Sequence, residues 1–292
     1  MANSKTLKLI GVDLGGTKVN VGLVEGSKIL SNKALKIPQD TTSEWDVINV
    51  IFDLIKEQLG EHKVEGIGIG VPSIVDREKG IIHEVQNIPS WKEVPLAAIL
   101  KKEFGVPVFI DNDANCFAYG EFKFGLGKGY KHLVGLTLGT GMGSGIITNG
   151  HLMGDANCGS GEFGMIPYKD GILEDYCSGK FFKNFYNSNG EELMILAREG
   201  DSMAIEAFNS FGDHLGNAVK TILYAVDPQV IIVGGSIVNS VDFFEPSLSR
   251  SIGDFAYKKV LENFEILYSK TSNIAILGAA SLYYDQIGNN NL

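Results

Sequence analysis

Five residues in "VDLGGTK" could do chemistry together: Asp13, Gly15, Gly16, Thr17 and Lys18. Glycines let backbone N–H groups approach phosphate oxygens without Cβ interference, the Thr17 hydroxyl adds a donor, and Lys18 adds positive charge. An aspartate beside phosphates repels them unless a cation intervenes. Asp13 therefore points to Mg2+, which keeps most of its waters and binds through one or two carboxylates plus phosphate. "LGTGMGSG" supplies a second turn of this kind in Gly139, Thr140 and Gly141. The two openings overlay at a constant offset of 124 residues, with Asp13 on Thr137, Gly15 on Gly139, Thr17 on Gly141 and Gly26 on Gly150. That is a candidate internal duplication, with one metal-side turn and one neutral donor turn facing a single nucleotide. Taken singly, each is also an ordinary glycine-rich strand turn.

"VFIDNDANCFAYGE" ends a hydrophobic strand in polar residues and then starts a helix. The carboxyl end of a buried strand is where open α/β sheets place ligands. Phosphoryl transfer to an alcohol needs little covalent chemistry, but a carboxylate that accepts the hydroxyl proton helps. Asp113 is the candidate base and Asn112 the candidate partner of a neighbouring hydroxyl. By residue type alone, the favoured reading of Asp113 is a plain helix N-cap. No GxxxxGK[ST] loop occurs, which excludes the usual P-loop. "GSGEFG" fits GxGxxG, but it follows no buried strand and is a poor dinucleotide site.

Those residues must be carried by an α/β framework. "LKLIGVDLG", "KVNVGLVEG" and "SKILSNKALKI" read as three antiparallel strands, with Gly26 and Ser27 as a two-residue hairpin turn. "SEWDVINVIFDLIKEQLG" has apolar residues at helical spacing and stops at Gly60. "VEGIGIGVP" and "VPVFIDND" read as buried strands separated by the helix "PLAAILKKEFG". The pattern begins again at "KHLVGLTLGT", "GSGIITNG" and "HLM", continues through a long helix near residues 202–226, and reaches the strand "DPQVIIVGGSIV".

A chain of 292 residues is long enough for two domains or one large one. Its 36 glycines exceed average usage without any low-complexity period, which suggests tight turns against a ligand. The net charge of −10 disfavours a nucleic-acid binder, which needs a basic face. Cys116, Cys158 and Cys177 form no CxxC pair, as expected of reduced thiols. No apolar run approaches about 18 residues and no cleavable leader is evident, so a cytoplasmic protein without membrane association is expected.

Taken together, "GVDLGGTKVNVGLVEG", "GIGVPSIVD", "NIPSWKEVPL", "VFIDNDANCFAYGE", "LTLGTGMGSGIITNG", "GSGEFG", "ILEDYCSG" and "VDPQVIIVGGSIV" resemble, in order and near spacing, the ROK family of sugar kinases. The resemblance implies an actin-like ATPase (ribonuclease H-like) α/β fold with two similar domains flanking a cleft that takes ATP, Mg2+ and sugar. The expected domains are 1–115 with 276–292, and 116–275. It implies that the catalytic aspartate is Asp113 and that the sugar is held by Asn112, Glu162, Glu174 and Asn87. Gly234 and Gly235 resemble adenosine-side glycines. Zinc-bearing members carry a histidine and a cysteine cluster after the glutamate that Glu162 matches. Here Met165 stands at the histidine position and the cluster is missing, so no structural zinc is expected, since such a site needs about four N or S ligands.

The resulting expectation is an ATP-dependent kinase of a glucose-like hexose at the 6-hydroxyl. N-acetylglucosamine, N-acetylmannosamine, mannose and fructose remain alternative acceptors. The family also implies a sugar-sensing regulator as an alternative of another class, but the six residues before Leu7 leave no room for a helix-turn-helix. Relatives are often dimers, so a homodimer is an open expectation.

Overall fold

The structure, a computed structural model, describes residues 7–289 except 86, 155 and 157. The chain divides into two units: Met1–Lys128 with His151–Ser160 and Thr271–Leu292, and Gly129–Gly150 with Gly161–Lys270.

The first unit opens with β1 (Lys8–Leu14), β2 (Lys18–Glu25) and β3 (Lys28–Lys36), followed by α1 (Trp45–Leu59), β4 (Gly66–Val71), α2 (Leu96–Phe104), β5 (Val108–Asn112) and α3 (Asp113–Phe124). Its sheet has the order β3-β2-β1-β4-β5, with β2 antiparallel to both neighbours and β1, β4 and β5 mutually parallel. Residues 26 and 27 form the expected two-residue turn, with Gly26 at φ 61 and Glu25 paired with Lys28. α1 buries Val47, Ile48, Ile51, Leu54 and Ile55, the i, i+3, i+4 stripe that the sequence spacing predicts. β4 is buried along its whole length, as a strand covered on both faces must be.

Part of the glycine excess serves close backbone packing. A Cβ on Gly68 would overlap the Ala279 carbonyl, and one on Gly278 would overlap the Cys116 carbonyl. The C-terminal helix Ile274–Asn289 thus lies backbone-close on the sheet and on α3, an approach that only glycine permits.

The second unit contains β6 (Leu133–Leu138), β7 (Met142–Thr148), α4 (Leu173–Cys177), α5 (Gly179–Tyr186), α6 (Gly190–Arg198), α7 (Ser202–Val226), β8 (Val230–Gly234), α8 (Val241–Ile252) and β9 (Glu265–Tyr268). β6 is antiparallel to β7 and parallel to β8, and β8 is parallel to β9. This repeats the arrangement of β2, β1, β4 and β5, the actin-like doubling of one α/β motif. α7 buries Phe208, Phe211, Leu215, Val219 and Ile222 beneath the sheet.

The repeat is not uniform in register. Leu14 pairs with Val19 across residues 15–18, whereas Leu138 pairs with Met142 across 139–141. The second turn is one residue shorter, so the offset of 124 holds on the first strand of each hairpin and becomes 123 on the second. Asn149 (φ 53), rather than Gly150, is the structural counterpart of Gly26, and the overlay of Gly26 on Gly150 is corrected accordingly. Among the described residues, no helix is long and apolar enough to cross a membrane.

Candidate active site

In the first unit, the candidate residues converge on the carboxyl ends of parallel strands. Asp13 of β1 is level with Gly70 of β4, and Gly70 with Asp111 of β5. Two strand spacings put the backbones of Asp13 and Asp111 about 10 Å apart. Burial raises the Asp13 carboxyl above its ordinary range, and the Lys18 charge opposes that shift. The turn after Asp13 is braced from both sides. Gly15 N donates to Lys18 O at 2.8 Å, Ile37 N donates to Thr17 O at 3.0 Å, and Gln39 Nε2 reaches Gly16 O at 3.4 Å. Asn87 lies directly over that turn, since a Cβ on Gly16 would fall 2.6 Å from Asn87 Nδ2.

Asn112, not Asp113, caps α3. Its Oδ1 accepts from Ala114 N at 2.8 Å and its Nδ2 donates to Ser73 O at 3.2 Å. Asp113 is therefore the first helical residue, half-buried at the sheet's edge. A buried ion network behind it fixes this junction. Arg77 Nε meets Asp111 Oδ2 at 2.9 Å, and Arg77 Nη2 lies 3.7 Å from Asp285 Oδ2. Asp111 Oδ1 accepts from Asn112 N at 2.8 Å and from Asn115 Nδ2 at 2.7 Å. The buried Cys116 thiol is driven up by its burial and then by the charges of Asp111, Asp113 and Asp13, so one sulfur lies in the field of all three carboxylates. Arg77 and Asp285 carry no motif. The one available sequence signal was a charged residue, Asp111, inside an otherwise apolar strand.

In the second unit, residues 139–141 form the shorter turn, with Gly139 N donating to Gly141 O at 3.0 Å. Thr137, in the place of Asp13, donates its hydroxyl to Gly143 O at 3.3 Å and brings no charge. The start of α5 is fastened to the turn: Gly179 N donates to Gly139 O at 2.7 Å, and Ser178 Oγ to Thr140 O at 3.2 Å. Glu174 also belongs to this assembly. Its Oε2 accepts from Met142 N at 2.9 Å, and its Oε1 meets Lys180 Nζ at 2.5 Å. Burial, and then the charge of Glu174, raise the Glu162 carboxyl above its ordinary range. Met165 is 59% exposed.

Beside the turn lies a cavity of about 870 Å³ walled by Gly139, Thr140, Lys180, Lys183, Phe182, Asn187, Asn189, Met194, Ser236, Ile237 and Asn239. Its size suits a nucleotide, and its wall joins the apolar Phe182, Met194 and Ile237 to many polar groups, with Glu191 and Glu192 among them as well as the two lysines. Gly234 ends β8 level with Thr137. Gly235 (φ 93) is pressed so close to Leu138 O that no side chain fits, and Ser236 after it lines the cavity. Lys180, Lys183, Asn187 and Asn189 lie on α5 and its link to α6, and Asn239 on the turn after β8; scattered lysines and asparagines form no motif by which the sequence would single them out. Asp13, residues 15–18, Asn87, Asn112 and Asp113 thus gather in the first unit, and Gly139–Gly141, Glu162, Glu174, Gly234 and Gly235 in the second.

Known proteins share this plan. The ROK family model matches residues 9–286. The glucokinase of Thermotoga maritima is 34% identical, over 97% of this chain and 99% of that protein. The crystal structure of a ROK family glucokinase from Streptomyces griseus in complex with glucose and AMPPNP superposes with a TM-score of 0.78 at 27% identity, covering 94% of this chain and 98% of that one. The xylose repressor of Bacillus subtilis is 27% identical over 97% of this chain and 78% of its own length. Two actin-like units with glycine turns at matching strand ends, and a family match that runs through both, establish that the chain belongs to the ROK family.

Proposed function

We propose that the protein is an ATP-dependent sugar kinase that phosphorylates a hexose, glucose foremost, at its 6-hydroxyl. The observation that carries the reading is the placement of Asp113 at the head of α3, on the same sheet edge as Asp13 and the 15–18 turn. In this reading Asp113 accepts the proton of the acceptor hydroxyl as its oxygen attacks the terminal phosphorus, and ADP leaves. Asn112, locked at both ends of its amide, serves as a preorganised partner for a neighbouring hydroxyl. Asn87, Glu162 and Glu174 are the further sugar contacts.

The 870 Å³ cavity takes the adenosine moiety. The two glycine turns present backbone N–H groups to the phosphates, with Gly234 and Gly235 shaping the adenosine side. Asp13 suits Mg2+, because burial disfavours its charge and Lys18 offsets that cost in part. Held at Asp13 with the nucleotide, Mg2+ would supply neutralisation of phosphate charge. Glucose is preferred among acceptors because the 34% identical relative carries the name glucokinase.

The deciding experiment is Asp113→Asn. Loss of the base lowers kcat by roughly 10²- to 10⁴-fold while the sugar KM changes far less; near-full turnover in the variant overturns the assignment. ADP release should be followed over glucose, mannose, fructose, N-acetylglucosamine and N-acetylmannosamine. Release on a sugar other than glucose moves the acceptor. Silence on all of them removes the kinase reading in favour of sensing.

A further inference from the structure

The shorter second turn has lost more than a residue. The first turn ends in Lys18, which supplies a cation from the turn itself; residues 139–141 supply none, and Met142 follows directly. In space the charge is restored from another element. Lys180, in the first turn of α5, places Nζ 2.5 Å from Glu174 Oε1, while Glu174 Oε2 holds Met142 N at 2.9 Å. A Cβ on Gly141 would come 2.7 Å from the same Oε2 and 3.9 Å from Oε1, so the carboxylate meets the turn through Oε2 and the ammonium sits on its far oxygen. Lys180 also lines the cavity beside Gly139 and Thr140.

The anchoring of this lysine is uneven along its length. Its backbone is fixed, because Gly179 and Ser178 tie the start of α5 to Gly139 and Thr140. Its side chain is 44% exposed, on a flexible four-carbon stem that can re-aim a point charge without moving the helix. A single carboxylate is a weaker partner for that ammonium than the clustered charges of a triphosphate.

We propose that Lys180 is a triphosphate-contacting residue that exchanges Glu174 for the nucleotide, so that nucleotide binding frees Glu174 for the sugar. The proposal rests on the kinase reading, and it makes the two ligands cooperative: a carboxylate engaged by Lys180 has fewer lone pairs for sugar hydroxyls, and departure of the lysine returns them. Coupling of this kind is reciprocal, so sugar bound to Glu174 strengthens nucleotide binding by the same factor.

The test is calorimetric binding by the full chain, with Lys180→Met and Lys180→Arg variants that retain the unfolding temperature of the unaltered protein. With Mg2+ present, Lys180→Met weakens a non-hydrolysable ATP analogue by about 10-fold or more and leaves adenosine unchanged, while Lys180→Arg recovers most of the loss. In the unaltered protein the analogue raises glucose affinity at least about 5-fold, and in Lys180→Met that dependence falls to within about 2-fold. Analogue affinity unaffected by Lys180→Met, or an equal loss for adenosine, overturns the proposal and leaves the kinase reading standing. An unaltered chain that binds no nucleotide removes both.

Discussion

Asn87 lies so close over Gly16 that one methyl group would displace it, the added Cβ falling 2.6 Å from Nδ2. The contact joins a residue assigned to sugar with one assigned to phosphate, and it gives Gly16 a reason to be glycine apart from backbone access. Gly16→Ala and Asn87→Ala should therefore damage the same interaction. Each is expected to raise the sugar KM by roughly 3- to 10-fold, the worth of about one hydrogen bond. The double variant should be little worse than the poorer single one, because residues in contact are not additive; steady-state kinetics of the four proteins give the cycle, and full additivity would separate the two roles. At this scale the sequence is most legible where residue type limits the chemistry. Asp13 and Asp113 stand out as candidates by their charge at the carboxyl ends of strands, and the structure puts both on one sheet edge. Arg77 does not, since its partners Asp111 and Asp285 are distant along the chain and only folding brings them together. Nor does the engagement of Glu174 with Lys180 and Met142 N, because a glutamate's spacing does not reveal which of its neighbours it binds.

Elements are legible where apolar period and turn chemistry agree. The first three strands, the hairpin at Gly26 and the stripe of α1 follow directly from alternation, a positive-φ glycine and helical spacing. The one-residue shortening between the two hairpins does not, since an overlay of glycines at constant offset is insensitive to a slip within the turn. The segment around Met165 is also unreadable by motif. It folds into a short hairpin, Pro167–Tyr168 with Gly171–Ile172, and its Tyr168 packs edge-on against Tyr176 and His214. His214, on α7, meets the Tyr168 hydroxyl at 3.1 Å. Burial and the Lys169 charge push its imidazole down to about 4 from an ordinary 6.5, with Asp213 opposing. The unfolded chain consequently binds a proton that the folded chain refuses. Stability from this site is complete above about pH 6.5, declines as pH falls, and is gone once the pH passes below the folded value. Unfolding temperatures between about pH 7.5 and pH 5 should fall less steeply for His214→Gln than for the unaltered protein; parallel slopes would mean that His214 is not the group responsible.

At the scale of the whole molecule, the proposed reading divides the phosphate contacts between the two copies of the motif by their chemistry. The first unit offers a carboxylate and a lysine around its turn, suited to a metal-bound phosphate. The second offers a neutral turn, the borrowed Lys180 and a cavity large enough for a nucleoside. The chain's charge of −10 makes such local cations consequential, since polyanions are otherwise repelled from an acidic protein. Adenosine and MgATP should therefore leave different marks in amide hydrogen exchange. Adenosine is expected to slow exchange only in the second unit, around residues 139–141, 178–190 and 236–240. MgATP should add residues 13–18 of the first. At a ligand concentration one hundred times Kd, binding adds about 2.7 kcal/mol, roughly a 100-fold slowing wherever exchange requires the ligand-free form. Protection by MgATP confined to the second unit would mean that the Asp13 turn serves something other than phosphate, and adenosine protection reaching residues 13–18 would mean that those residues respond to the nucleoside as well.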